Sequence, residues 1–155
     1  MKDVARPAAA EGAARETPDA RRGAERLLAR LELPDAAVEL LAMVRFLTAS
    51  DGPLQQLAET GLSSPWHERV LLKAQERVEV IDHFLRGRVA FFVAGRDQGY
   101  GPFDGELELA GATLDTCRAI AMVVGRLLAE ELPSERQFDL MGDAALKVYS
   151  ALEGL

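Results

Sequence analysis

The stretch "VIDHFLRGRVAFF", Val80–Phe92, decides how this chain is read. Its left half spaces apolar residues at helical intervals, and Val70, Ala74, Val78, Ile81, Leu85 and Phe92 fall on one side of a helical wheel, with Phe84 at the edge. Its right half, "RVAFFVA", reads equally as a strand able to pair with the alternating "ELELA", Glu106–Ala110. One reading gives a helix running from Ser64-Pro65 through Gly87 to Gly95. The other puts a short β-hairpin near residues 88–110. Helix continuation is preferred, with the hairpin kept as the alternative.

Outward from that segment the punctuation is helical. Thr17-Pro18 starts a first helix with Leu27, Leu28 and Leu31 on its apolar side, ending at Pro34. Asp35 caps a second, which "ASDGP" breaks. "PLQQLAET", Pro53–Thr60, is a short third helix stopped by Gly61, and Ser64-Pro65 opens the long fourth. "GRDQGYGPFDG" is loop. Asp115 or Thr113 then caps a fifth helix ending near Leu132, apolar on nearly every side and so the expected centre of the bundle. In it Ala121 and Gly125, one turn apart, invite close approach of a neighbouring backbone. Pro133 ends it, and Ser134-x-x-Gln137 is a capping box for a last helix carrying Phe138, Met141, Ala145, Val148 and Leu152. The expected fold is all-α, a compact bundle of five or six helices. Residues 1–18, rich in Ala, Arg and Glu without an apolar period, read as a tail before a single helical domain over 19–155.

Composition narrows the function classes. The chain has 155 residues and a net charge of −7. Residues 1–18 hold three basic and three acidic side chains, so the remainder carries 15 basic against 22 acidic and the whole imbalance. An acidic body repels phosphate backbones, so nucleic acid is not an expected partner. The lone Cys117 excludes an internal disulfide and a thiolate-rich metal site, and suits a reducing, cytoplasmic setting. "AIAMVVG", the longest apolar run, is far below the roughly 20 residues of a membrane span.

His83 lies about 200° from Ile81 on the wheel, among Glu76, Glu79 and Arg86, and is expected to face solvent. "HFLRG" resembles the His-x-Leu-Lys/Arg-Gly core of histidine phosphotransfer domains, small helical bundles of bacterial phosphorelays. The resemblance covers these five residues. It implies that His83 accepts a phosphoryl group from a receiver aspartate, that Arg86 faces the phosphate, and that Gly87 leaves room for the docking partner.

Other patterns point elsewhere. His67 is 16 residues before His83 and at a different helical angle, so the two cannot share a metal, and none is expected. "LAETGLSS", Leu57–Ser64, resembles the turn of a helix-turn-helix, although Glu68 stands where a DNA contact is wanted. Asp97 and Glu108 are spaced like the ends of a calcium loop, but Gly99 and Gly101 occupy its inner ligand positions. On the same loop, Tyr100 and Phe103 are candidate partner-binding aromatics. Cys117 reads as a buried, inert thiol.

With no Ser-His-Asp or Cys-His pairing at a readable spacing, the leading expectation is a non-catalytic, acidic protein–protein interaction module without a cofactor. It would serve as an adaptor, regulator or inhibitor subunit, pairing with another protein or with itself as a homodimer. Histidine phosphotransfer at His83 and helix-turn-helix DNA binding are the alternatives.

Overall fold

The structure, a computed structural model, describes residues 31–155. The expected tail over 1–18 and nearly all of the expected first helix lie outside them. Helix α1 spans Leu33–Thr48, the two-turn α2 Pro53–Thr60, α3 Pro65–Asp97, α4 Asp104–Leu128 and α5 Glu135–Glu153. The described residues are all-α and contain no strand. Glu32–Leu155 forms one compact unit.

Two helix starts follow directly from local chemistry. Ser64 Oγ accepts from the His67 amide at 3.0 Å, with Pro65 pre-set at the first helical position. At α5, Ser134 Oγ accepts from the Gln137 amide while Gln137 Oε1 accepts from the Ser134 amide, a complete capping box. Each cap contributes about 1 kcal/mol to a helix end whose amides otherwise lack partners. Gly61 ends α2 in the left-handed conformation, φ 74°.

Two expected boundaries are corrected. Pro34 does not end a helix. It sits in the first turn of α1 behind Glu32, where a missing N–H costs nothing, and Asp35 lies inside that turn. The hairpin near 88–110 is replaced by helix on both sides of a loop. α4 begins at Asp104, nine residues before Thr113, because Leu109, Ala112, Thr113, Thr116, Ile120, Val123 and Leu127 make one buried stripe that includes the "ELELA" segment. A five-residue alternation is too short to outweigh that period. Thr113 and Thr116, rather than capping, bury their hydroxyls by donating to Leu109 O and Ala112 O.

α4 is the central element. It packs lengthwise against α3 and α5, is crossed by α1, and touches α2. Leu40, Leu47, Leu71, Ile81, Leu85, Leu109, Ile120, Leu127, Met141 and Val148 fill the space between these helices. Full burial of such a side chain contributes about 1.5–3 kcal/mol. α1 is tied to α3 by a bidentate pair, Arg77 Nε and Nη2 to the Glu39 carboxylate at 2.5 and 3.0 Å. Ala121 and Gly125 do not face a neighbouring helix, as their spacing had suggested; both are exposed, and no atom lies within 4 Å of a Cβ built on Gly125.

The C-terminus of α4 carries a backbone outlier. Glu131 N donates to Arg126 O at 2.9 Å and Glu130 N to Leu127 O at 3.0 Å, a paired closure that demands a left-handed residue between them. Glu130 supplies it at φ 58°. Arg126 reinforces the turn through Glu131 Oε1 (3.3 Å) and Leu132 O (3.2 Å), and the Glu130 carboxylate accepts from Ser63 N at 3.4 Å. Left-handed geometry costs an ordinary residue about 1–2 kcal/mol, more than a long, exposed contact returns. Glu130→Gly is therefore expected to stabilise the fold by about 1 kcal/mol, read as a higher urea midpoint at unchanged slope. An unchanged or lower midpoint would mean that the Glu130–Ser63 contact outweighs the strain.

Candidate functional site

The first candidate lies on α3, a 33-residue helix. Leu71, Val78, Ile81, Leu85 and Phe92 are its buried apolar residues. That packing fixes the rotation of the helix and turns His83 outward: His83, Arg86 and Gly87 are all exposed, and nothing lies within 4 Å of a Cβ built on Gly87. Arg86 is engaged, its Nε 2.8 Å from Asp82 Oδ2 one turn back. Glu76 and Glu79 are exposed on the same side of the helix. The histidine thus has a reachable ring, one adjoining cation that is already paired, and carboxylates nearby.

The second candidate is built where α3 turns into α4. α3 closes with Gly99 N donating to Arg96 O (3.0 Å) and Tyr100 N to Gly95 O (2.8 Å), which requires Gly99 at φ 88°. The next turn brings Phe103 back over the helix end. Its ring covers Gly95 and Gly101: a Cβ on Gly101 would collide with it at 2.6 Å and one on Gly95 would press on it at 3.0 Å, and its centroid stands 5.2 Å from that of Phe92. Phe103 reaches this position at φ 58°, a strained conformation held by the ring's packing. Arg88 adds a cation over Phe91 and Phe92, 5.0 and 4.9 Å from their centroids.

The result is a cavity of about 470 Å³ lined by Phe91, Ala94, Gly95, Gln98, Tyr100 and Phe103. Phe91 is 59% and Tyr100 64% exposed. Tyr100 and Phe103, singled out by their loop position, therefore come together. Phe91 was missed, because in the sequence it is only one more apolar residue of a helical run. Its signal was angular: one residue before Phe92, it falls about 100° from the buried direction that Phe92 occupies.

His67, at the start of α3, is 6% exposed and packs edge-on to Phe46 and beside Trp66. Its Nε2 is 3.1 Å from Asp51 O, which fixes the proton on that nitrogen. The histidine pins the α1–α2 connection onto the start of α3. In the helix-turn-helix reading this is the helix that would meet DNA, and there Trp66 and Glu68 are exposed while His67 is turned inward. Among the described residues no three His, Cys, Asp or Glu side chains converge to hold a metal ion, and no helix is long and apolar enough to cross a membrane.

Cys117 is buried on α4 and its thiol donates to Val78 O at 3.3 Å. Burial, seconded by the Asp82 charge and opposed by Arg118 and Arg86, pushes its pKa from 9.0 up to about 12. A folded-state pKa raised in this way stabilises the protonated fold. The contribution is full below pH 9 and is lost as pH climbs from 9 towards 12. Native protein is expected to resist an aromatic disulfide reagent at pH 8 and to react fully in denaturant; rapid native labelling would contradict this burial. Comparison with known proteins adds no identity: no family model, no curated protein and no solved structure matches the chain.

Proposed function

We propose that this protein is a non-catalytic protein–protein interaction module, an adaptor, regulator or inhibitor subunit. It receives an apolar anchor side chain of its partner in the pocket between Phe91, Tyr100 and Phe103. The observation that carries the reading is the exposure of Phe91 and Tyr100 around a cavity that a single bulky side chain can enter. An aromatic cluster serving only as core would have its rings covered, whereas aromatic side chains left exposed around a cleft are the type enriched among interface anchors, which lose their water when the partner docks. Gln98 and the Tyr100 hydroxyl are the uncharged polar groups of an otherwise apolar lining, so a leucine, methionine or phenylalanine on the partner suits the site better than a charged group. Phe103 already packs on Phe92 and Gly95 in the unbound chain, and a wall formed before binding lowers the ordering cost of association.

The test is affinity capture from the native host lysate by the full chain and by a Phe91→Ala/Tyr100→Ala variant, with quantitative mass spectrometry. Proteins held by the unmodified chain are expected to fall at least about tenfold on the variant, each ring being worth about 1–2 kcal/mol. Both side chains are exposed, so the thermal midpoint should move little. Equal recovery on both chains would remove the pocket from the interface.

A second reading rests on a different observation, the outward ring of His83 beside the open space at Gly87. In histidine phosphotransfer the imidazole attacks a receiver's aspartyl phosphate. A P–N bond forms as the P–O bond breaks, and the aspartate carboxylate leaves. Arg86 must then exchange its Asp82 partner for the phosphoryl oxygens. Incubation with phosphoramidate tests this reading. An acid-labile phosphate present on the unmodified chain and absent from His83→Gln supports it, and an unlabelled chain removes it.

A further inference from the structure

On α4 and α5, away from both candidates above, a groove of about 330 Å³ is lined by Asp115, Arg118 and Met122 of α4 and by Leu140, Asp143 and Lys147 of α5, with two alanines in its floor. Met122 and Leu140 are 50% and 47% exposed. Asp115, Arg118, Met122 and Gly125 follow one another at intervals of three, four and three residues, as do Leu140, Asp143 and Lys147 at three and four. That is the spacing of a helix seam meeting another helix. Among the described residues, none of the four charged side chains is in an ion pair with another.

The arrangement of charge says what fits there. α4 and α5 are joined by a short loop and packed along each other, so they run antiparallel. Counting outward from that loop, Met122 is level with Leu140, Arg118 with Asp143, and Asp115 with Lys147. Each level pairs apolar with apolar or base with acid. The patch carries no net charge on a chain that carries −7, so neither a strongly basic nor a strongly acidic partner is selected by it. A surface of this pattern is complementary to itself.

We propose that this groove is a homodimer interface, formed with a second copy about a two-fold axis running along the groove. Such an axis places every α4 residue opposite the α5 residue that stands level with it. Met122 meets Leu140 of the second copy, Arg118 meets its Asp143, and Asp115 meets its Lys147. Four helices then pack as a bundle across the axis. Gly125 and Ala121 leave a low edge beside the seam, where the facing helix can approach.

Sedimentation equilibrium of the full chain, from low micromolar upward, tests the interface. A species of twice 16.8 kDa is expected. Arg118→Asp and Asp143→Arg each set like charges against one another and should weaken the dimer about a hundredfold. The double exchange, Arg118→Asp with Asp143→Arg, restores the pairs in reverse and should recover affinity to within about tenfold. Thermal melts of all three confirm folding, since both positions are exposed. A monomer throughout the range overturns the proposal, as does a dimer indifferent to the single reversals or a double variant no tighter than either single. Loss of the dimer leaves the aromatic pocket untouched, and loss of pocket binding leaves the dimer untouched.

Discussion

Burial of one stripe of α4, from Leu109 to Leu127, is the constraint on which the rest of this structure hangs. α1, α3 and α5 each pack against that helix, so each takes its position from it. The stripe sets the rotation of α3 through Val78, Ile81 and Leu85, and that rotation sends His83 to solvent. It also sets where α4 begins. With Asp104 as its first residue, six residues remain to reverse the chain after Asp97. So short a connection forces the left-handed residues Gly99, Gly101 and Phe103, and these fold the aromatic ring onto Gly95. The pocket is thus a consequence of packing at the far side of the same helix.

What α4 does not bury is as informative as what it does. A helix so apolar can be covered on every side only by a full ring of neighbours. Here Arg118, Ala121, Met122 and Gly125 stay exposed. The surrounding residues are not a general polar surface but a balanced set of acids and bases around an apolar line. Surfaces of that kind favour a defined pairing over indiscriminate adhesion, because a misaligned partner sets like charges together. The two surfaces proposed as contacts, an aromatic pocket and a self-complementary groove, would serve the proposed regulatory or adaptor role. Such a role needs no buried nucleophile, and Cys117, the one thiol, is held protonated within the core.

Much of this fold was legible in the sequence, and the legible parts share a cause. Ser64-Pro65 and Ser134-x-x-Gln137 are boundaries written in side chains that satisfy local backbone groups, and Pro53 and Gly61 bound their helix by backbone preference alone, so all of them read the same way without tertiary context. The start of α4 was not legible for the opposite reason. Its N-cap, Phe103, offers no side-chain hydrogen bond and sits at positive φ, a conformation that only the Gly95, Gly101 and Phe92 contacts make tenable. His83's exposure followed from helical angle alone. His67's burial did not, because it depends on Phe46 and on the Asp51 carbonyl, which reach it from another part of the chain. The pocket was half legible: Tyr100 and Phe103 stood out on a glycine-rich loop, while Phe91 looked like any residue of an apolar run.

The dependence of the whole arrangement on α4 can be read most directly from native-state amide hydrogen exchange across Asp104–Leu128. If the helix starts at Asp104 and is packed from Leu109 onward, amides from Thr113 back to Leu109 should exchange as slowly as those near Ile120. All should exchange only through global unfolding, with a common dependence on denaturant. Fast exchange from Leu109 to Ala112, with protection beginning only at Thr113, would contradict the account. It would return the helix start to the boundary that the sequence suggested, and the aromatic pocket would lose the wall that Phe103 provides.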